Sequence, residues 1–352
     1  MHQPHLHRST HHSTAEARRL TELARAAGLG DAPDDALECN RQAVTLLGSD
    51  EETPLLADVL RWQGSVHCDR GRTSEADPLY RRSFEISTRI GYEAGRAHAL
   101  NCLASLAQRR GDIVTSEDLL TDALTLATQC GEKQLVGMIH QNLGVIADIR
   151  GNPAAALAHY RTSLQTFEET NDLQPMCWVL NNLGYLYLKE GQFVEAREAL
   201  DRALGIARAR GDLMSEGIIE ENRAELQLMH GEMDEARVSI ERALEVAHRR
   251  GDDVRRAAAL KQRGAHERMM GQAAAAADTL RVALTFSAVG EDALLGAEIL
   301  YQFGLALAAA GDVNTAREVW QAALEAFERI GARQWVGRVG KRLSHGGTSR
   351  YL

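Results

Sequence analysis

Carboxamide side chains recur at a fixed interval along this 352-residue sequence. Asn142, Asn182, Asn222, Gln262 and Gln302 follow one another every 40 residues, and Trp62 and Cys102 precede them in the same column. The column one residue earlier reads Arg61, Asn101, Gln141, Asn181, Glu221, Lys261 and Tyr301. A carboxamide offers a donor and an acceptor from one group, so a row of them suits the N–H and C=O groups of an extended peptide better than any bond-breaking step. Asn and Gln together number 25 of 352 residues, so five in consecutive register are not an accident of composition. Two readings stay open: the column clamps a ligand backbone, or it solvates a polar face and was copied by duplication.

No other spacing supplies a catalytic or cofactor site. His266-Glu267 lacks the second histidine of a metalloprotease helix, and the glycines from Gly337 to Lys341 are too closely spaced for a phosphate loop, with no Ser or Thr after the lysine. No GxSxG or dinucleotide-type glycine pattern occurs. Five cysteines, at 39, 68, 102, 130 and 177, form no CxxC pair, so neither a disulfide framework nor a zinc site is encoded and reduced thiols are expected. His2, His5, His7, His11 and His12 make a tail that binds transition metal weakly at most. The expectation is therefore a non-enzyme with no catalytic residue, no metal site and no cofactor. With 40 basic and 49 acidic residues the net charge is −9, which argues against nucleic acid as a partner. The first residues contain no apolar signal region, and the uncharged run from Ile299 to Gly311 is shorter than the ~18 apolar residues of a membrane helix. A cytoplasmic protein with no membrane partner is expected.

The elements that position these side chains are set by two glycine columns. Glycine stands at 71, 111, 151, 191, 231, 271 and 311, and a second column, offset by 20, holds Gly91, Gly131, Gly211, Gly251 and Gly331, with Asn171 in one slot and Gly290 displaced by one. Each of these residues tolerates positive φ and so ends a helix. Apolar residues between them follow helical spacing, and Pro33, Pro54, Pro78, Pro153 and Pro175 are expected in first helical turns, with Thr53 and Ser74 as N-caps. Five residues after each first-column glycine comes a small residue, Ala76, Ser116, Ala156, Ala196, Ala236, Ala276 or Ala316; four further comes a large one, from Tyr80 to Trp320. An all-α chain follows: a His-rich disordered tail over 1–14, eight 40-residue two-helix repeats over 15–331, a capping helix over 332–345 and a flexible tail over 346–352. On the cap, Arg333, Arg338, Lys341 and Arg342 read as the polar outer face of a terminal unit.

These columns resemble the tetratricopeptide repeat. Leu183-Gly184-x-x-Tyr187 with Gly191, Ala196 and Leu200 matches the family's L-G-x-x-Y and A-x-x-x-F pattern, as do Leu143-Gly144, Ala156 and Tyr160. The period of 40 instead of 34 lengthens each helix pair by ~9 Å in total and is similar to the longer-helix branch found in kinesin light chains, bacterial peptide-pheromone receptors and sensor arrays of regulatory ATPases. The resemblance implies a right-handed superhelical α-solenoid whose first helices line a concave groove that holds a protein or peptide ligand. The groove residues would then be Asn101, Gln141, Asn142, Asn181, Asn182, Asn222, Gln262 and Gln302. Trp178 and Tyr185, with Met138, Ile218, Leu188, Leu228, Met229 and Met269 nearby, would either form an anchor pocket or fill the seam between first helices. The implied role is an adaptor or sensor, with a stand-alone ligand-sensing component of a bacterial transcriptional or ATPase system as the alternative. Four lysines against 36 arginines point to a GC-rich bacterial genome. Assembly as a homo-oligomer stays open.

Overall fold

The computed structural model describes residues 4–29, 32–48, 52–289 and 292–344, and among these it contains seventeen α-helices and no strand. They are α1 (Pro4–Leu29), α2 (Pro33–Leu47), α3 (Pro54–Asp69), α4 (Thr73–Arg89), α5 (Glu93–Arg109), α6 (Ile113–Cys130), α7 (Lys133–Ile149), α8 (Pro153–Thr170), α9 (Leu173–Lys189), α10 (Phe193–Arg210), α11 (Leu213–His230), α12 (Met233–Arg250), α13 (Asp253–Met269), α14 (Ala273–Val289), α15 (Ala293–Ala309), α16 (Val313–Ile330) and α17 (Arg333–Ser344). Eight helix pairs and a final capping helix form a right-handed solenoid.

Two residues build the turn between α5 and α6. Gly111, at φ 81°, lets its own N–H reach the Gln108 carbonyl, and the next residue, Asp112, accepts the Thr115 N–H at 3.1 Å as the N-cap of α6. Asn171, at φ 51°, does the work of a glycine in its slot and is the only non-glycine with positive φ among the described residues. Thr53 caps α3 as expected, through the Leu56 N–H. Two expectations need correction in α4. The turn at Gly71 starts the helix at Thr73, so Arg72 and not Ser74 holds the cap position, and Pro78 lies inside the helix, beyond its first turn. Pro78 is exposed, so water can reach the carbonyl that its missing N–H leaves unbonded. At the other end of the array, α1 begins at Pro4, so residues 4–14 continue a helix where a disordered tail was expected. Proline is favoured in a first helical turn, and none of the residues from His5 to Ala27 is a glycine or proline. Residues 346–352 and Gly290 lie outside the described residues.

Small and large columns interlock within each pair. All seven residues of the Ala76–Ala316 column and all seven of the Tyr80–Trp320 column are buried. A Cβ on Gly184 would stand 2.6 Å from Leu200 Cγ, and one on Gly264 would stand 2.5 Å from Leu280 Cγ; neither space admits a methyl group. The glycine's cost in helix propensity, ~1 kcal/mol relative to alanine, is offset by this close approach.

Successive first helices also touch one another, whereas second helices meet chiefly the first helices of their own and the next repeat. First helices therefore make the inner layer. The superhelix winds far enough to meet itself: the position of a Gly111 Cβ is 3.0 Å from Ile330 Cγ1 at the end of α16, and one apolar cluster joins Leu120, Leu135 and Ile139 to Ile299, Phe327 and Val339. The inner row of helices consequently surrounds a space. Within the described residues, no helix is long and apolar enough to cross a membrane.

Candidate functional site

That space contains a cavity of about 1000 Å³, walled by α9, α11, α13, α15 and α17. Its floor is apolar: Tyr185, Leu228, Met229, Met269 and Leu305 contribute to it. Burial first, and then the nearby Glu225 carboxylate, push the Tyr185 phenol well above its ordinary range, so the ring enters any interaction as a neutral group.

One wall is the capping helix. Trp335 stacks on Phe327 with centroids 5.0 Å apart and an interplanar angle of 2°, meets Tyr301 edge-on at 5.5 Å, and carries the Arg338 guanidinium 4.7 Å above its ring. These contacts fasten α17 to α15 and α16. Arg333, Arg338, Lys341 and Arg342 all line the cavity, which corrects the expectation that they form an outer polar face. The reason is topological: α17 takes the place of a ninth first helix, so one side of it completes the inner row. A signal for this was present, because Lys341 and Arg342 stand 40 residues after Tyr301 and Gln302 and so extend both carboxamide columns.

The opposite wall is charged and largely satisfied. Lys261 Nζ donates to Glu298 Oε2 at 2.5 Å, with the two side chains 13% and 11% exposed. Burial acts against the ammonium, but Glu298, Glu225 and Glu221 outweigh it and raise the Lys261 pKa to about 12. Gln262 Nε2 donates to Glu225 Oε2 at 2.9 Å. Two polar atoms on the lining are left over: Arg268 Nε and Gln302 Oε1 are buried without a hydrogen-bond partner. Burial, together with the like charge of Arg342, lowers the Arg268 pKa.

The carboxamide columns divide between two tasks. Gln262 and Gln302 line the large cavity, and Asn222 lines a smaller one of about 180 Å³ beside Glu221 and Arg255. Upstream, the carboxamides pair with each other across neighbouring first helices: Asn142 Nδ2 donates to Asn101 Oδ1 at 2.8 Å, and Asn222 Nδ2 to Asn181 Oδ1 at 2.8 Å. Asn101 and Asn181 are buried. Gln141 and Asn182 are half-buried and take no part in these pairs. Trp178 and Tyr185 do not share a pocket. Tyr185 lines both cavities, whereas the Trp178 indole N–H donates to Ser215 Oγ at 2.9 Å in the seam between α9 and α11. Sequence reasoning missed Arg268, the Lys261–Glu298 pair and the whole α17 wall.

Glu221 gives the protein a pH dependence. It is 6% exposed, and burial raises its pKa to about 7 in spite of Arg255, whose Nη1 lies 3.2 Å from Oε2. Burial likewise raises the Asp69 pKa to about 6, against the opposing charges of Arg109 and Arg250. A carboxyl with a folded pKa above its unfolded value contributes stability that is present below the unfolded value and lost as pH rises through the folded one. Histidines pushed down by burial, His98 to about 3 and also His67, His140 and His159, act in the opposite direction below the ordinary histidine range. The expected result is therefore a difference: the wild-type midpoint relative to that of Glu221→Gln falls between pH 5 and pH 8. A midpoint profile unchanged by Glu221→Gln would assign the dependence to other groups.

Comparisons with known proteins agree with this architecture. Two tetratricopeptide repeat models match, over residues 95–169 and 179–210. A segment of 132 residues, 38% of the chain, is 26% identical to the 43 kDa receptor-associated protein of the synapse from Tetronarce californica and spans 30% of that protein's length. Among solved structures, a Rap protein complexed with Competence and Sporulation Factor aligns at 15% identity over 98% of this chain and 88% of its own, with a TM-score of 0.60. A signal transduction ATPase with a tetratricopeptide repeat sensor, from Pyrococcus horikoshii, aligns at 12% identity over 95% of this chain and 53% of its own, with a TM-score of 0.57. At these identities the likeness is one of fold. The chain is a helical solenoid, two segments of which match tetratricopeptide repeat models. Among the described residues, no group of three or more His, Cys, Asp or Glu side chains is placed to hold a metal ion.

Proposed function

We propose that this tetratricopeptide solenoid is the ligand-sensing component of a bacterial regulatory system, taking a peptide or partner-protein segment into the cavity between α9 and α17 and signalling to a separate effector. The observation that carries this reading is the cavity itself. At about 1000 Å³ it reaches the upper end of the range for ligand pockets, and it combines an apolar floor with a few convergent polar groups. The Rap protein solved with Competence and Sporulation Factor and the ATPase with a repeat sensor share the fold and support a sensing role. A static adaptor that clamps ligand backbone along the full carboxamide column is supported less well, because Asn101, Asn142, Asn181 and Asn222 are engaged with one another.

Selection from a random peptide library displayed on phage tests the proposal. Met269 is 43% exposed and lines the cavity, so Met269→Trp fills space without disturbing the core. Selected peptides are expected to bind the wild type and to lose about tenfold or more in affinity for Met269→Trp, at an unchanged melting midpoint. Equal affinity for the two proteins would put the contact outside the cavity.

A further inference from the structure

We infer that the segment taken up by this cavity is an acidic peptide, whose carboxylates are held by Arg268 and Arg338 while its backbone N–H groups reach Gln302. The inference rests on the cavity being the ligand site, and it adds the chemistry of the ligand.

Charge is the first observation. The chain as a whole is negative, at −9, yet six cationic side chains and only two carboxylates line the cavity. Glu298 is paired with Lys261, whereas Glu225 accepts only from the neutral amide of Gln262, so the cations outnumber the carboxylates on the lining. The field that remains is positive and partly enclosed, which is where an attraction to carboxylate is screened least. Arg338 makes no ion pair or hydrogen bond within the described residues. The face of Trp335 lies against the guanidinium and holds it in place without using its N–H edge.

Unmet hydrogen bonding is the second. Arg268 Nε–H is a buried donor without an acceptor, and Gln302 Oε1 is a buried acceptor without a donor. A small anion without an O–H, such as sulfate, would satisfy the first and leave the second orphaned. A basic segment would meet like charge. A peptide carrying Asp or Glu satisfies both at once, because its side chain accepts from the guanidinium and its backbone donates to the carboxamide. The methionines and leucines of the floor, Leu228, Met229, Met269 and Leu305, receive apolar residues between the acids.

Three fluorescein-labelled peptide pools of equal length test this by anisotropy: Asp/Glu alternating with Leu/Phe, the Asn/Gln isosteres of the same sequences, and a Lys/Arg counterpart. The acidic pool is expected to bind wild type at least about tenfold more tightly than the isosteres, and to weaken at high salt. Arg268→Gln and Arg338→Gln are each expected to weaken it by about tenfold. Arg281→Gln, an exposed residue of α14 paired with Asp278, should leave binding unchanged. Melting midpoints provide the folding control. Equal binding of acidic and isosteric pools, or full binding by both cavity variants, overturns the acidic assignment; if Met269→Trp still abolishes that binding, the cavity reading stands. Displacement of the acidic pool by stoichiometric inorganic phosphate overturns the assignment in favour of a free-anion site. Failure of every pool to bind the wild type removes the acidic assignment, and if phage-selected peptides also bind Met269→Trp normally, the cavity reading falls with it.

Discussion

Lys261→Met is expected to destabilise the protein by about 3 to 5 kcal/mol, because it leaves the Glu298 charge buried without its partner, and Glu298→Leu by less, because Glu225 and Glu221 still face the ammonium. The pair joins α13 to α15 at 2.5 Å with both side chains almost out of solvent, so water does little to screen the loss. The double variant should recover most of the stability, since two apolar side chains avoid both desolvation costs. Units of a solenoid are coupled mainly to their neighbours, so the damage is expected to concentrate in the last two repeats and the cap. Hydrogen exchange resolved by helix, with urea denaturation of all four members of the cycle, measures this. Single variants within about 1 kcal/mol of wild type would mean that the pair behaves as an exposed surface ion pair.

The second large effect concerns residues that look alike in sequence. Asn142→Ala and Asn222→Ala each remove the donor to a buried carboxamide oxygen, on Asn101 and Asn181 respectively, and each is expected to cost about 1 to 3 kcal/mol. The two sites lie in different repeats and share no partner, so the double variant should approach the sum, about 2 to 6 kcal/mol. Asn182→Ala, in the same column but with no such bond, should fall within about 0.5 kcal/mol of wild type. Denaturation midpoints of the three single variants and the double decide it. A uniform cost across Asn142, Asn182 and Asn222 would show that the pairing is not what stabilises the inner layer. Losses of this size also bear on any binding experiment at these positions, since a variant here changes the scaffold as well as its surface.

Much of the fold was legible because it rests on local rules. Positive φ at a helix end is a property of one residue, so the glycines and Asn171 could be located without knowing any neighbour in space. The alternation of Gly184 or Gly264 with Leu200 or Leu280 was legible for a similar reason: contact within a helical hairpin depends on a fixed separation along the chain. Pro78 shows the limit of such rules, since the helix tolerates it in an interior position that happens to face water.

By itself, then, the sequence determined the period, the turns, the helix pairs and the packing column inside each pair, all of which depend on residues within about one repeat of each other. Only the tertiary structure decided how those pairs stack. The superhelical pitch brings Gly111 against Ile330, folds α17 across from α9 and so turns an open groove into a cavity. Stacking also decided which members of a repeated column remain available. Asn142 and Asn222 reach back to the preceding first helix, Gln302 points an unpaired oxygen at the cavity, and Lys341 and Arg342 carry the same columns onto its far wall. A column specifies the side of a helix. Whether that side meets a neighbour, a cavity or water depends on the accumulated rotation of many repeats, which no single spacing in the sequence records.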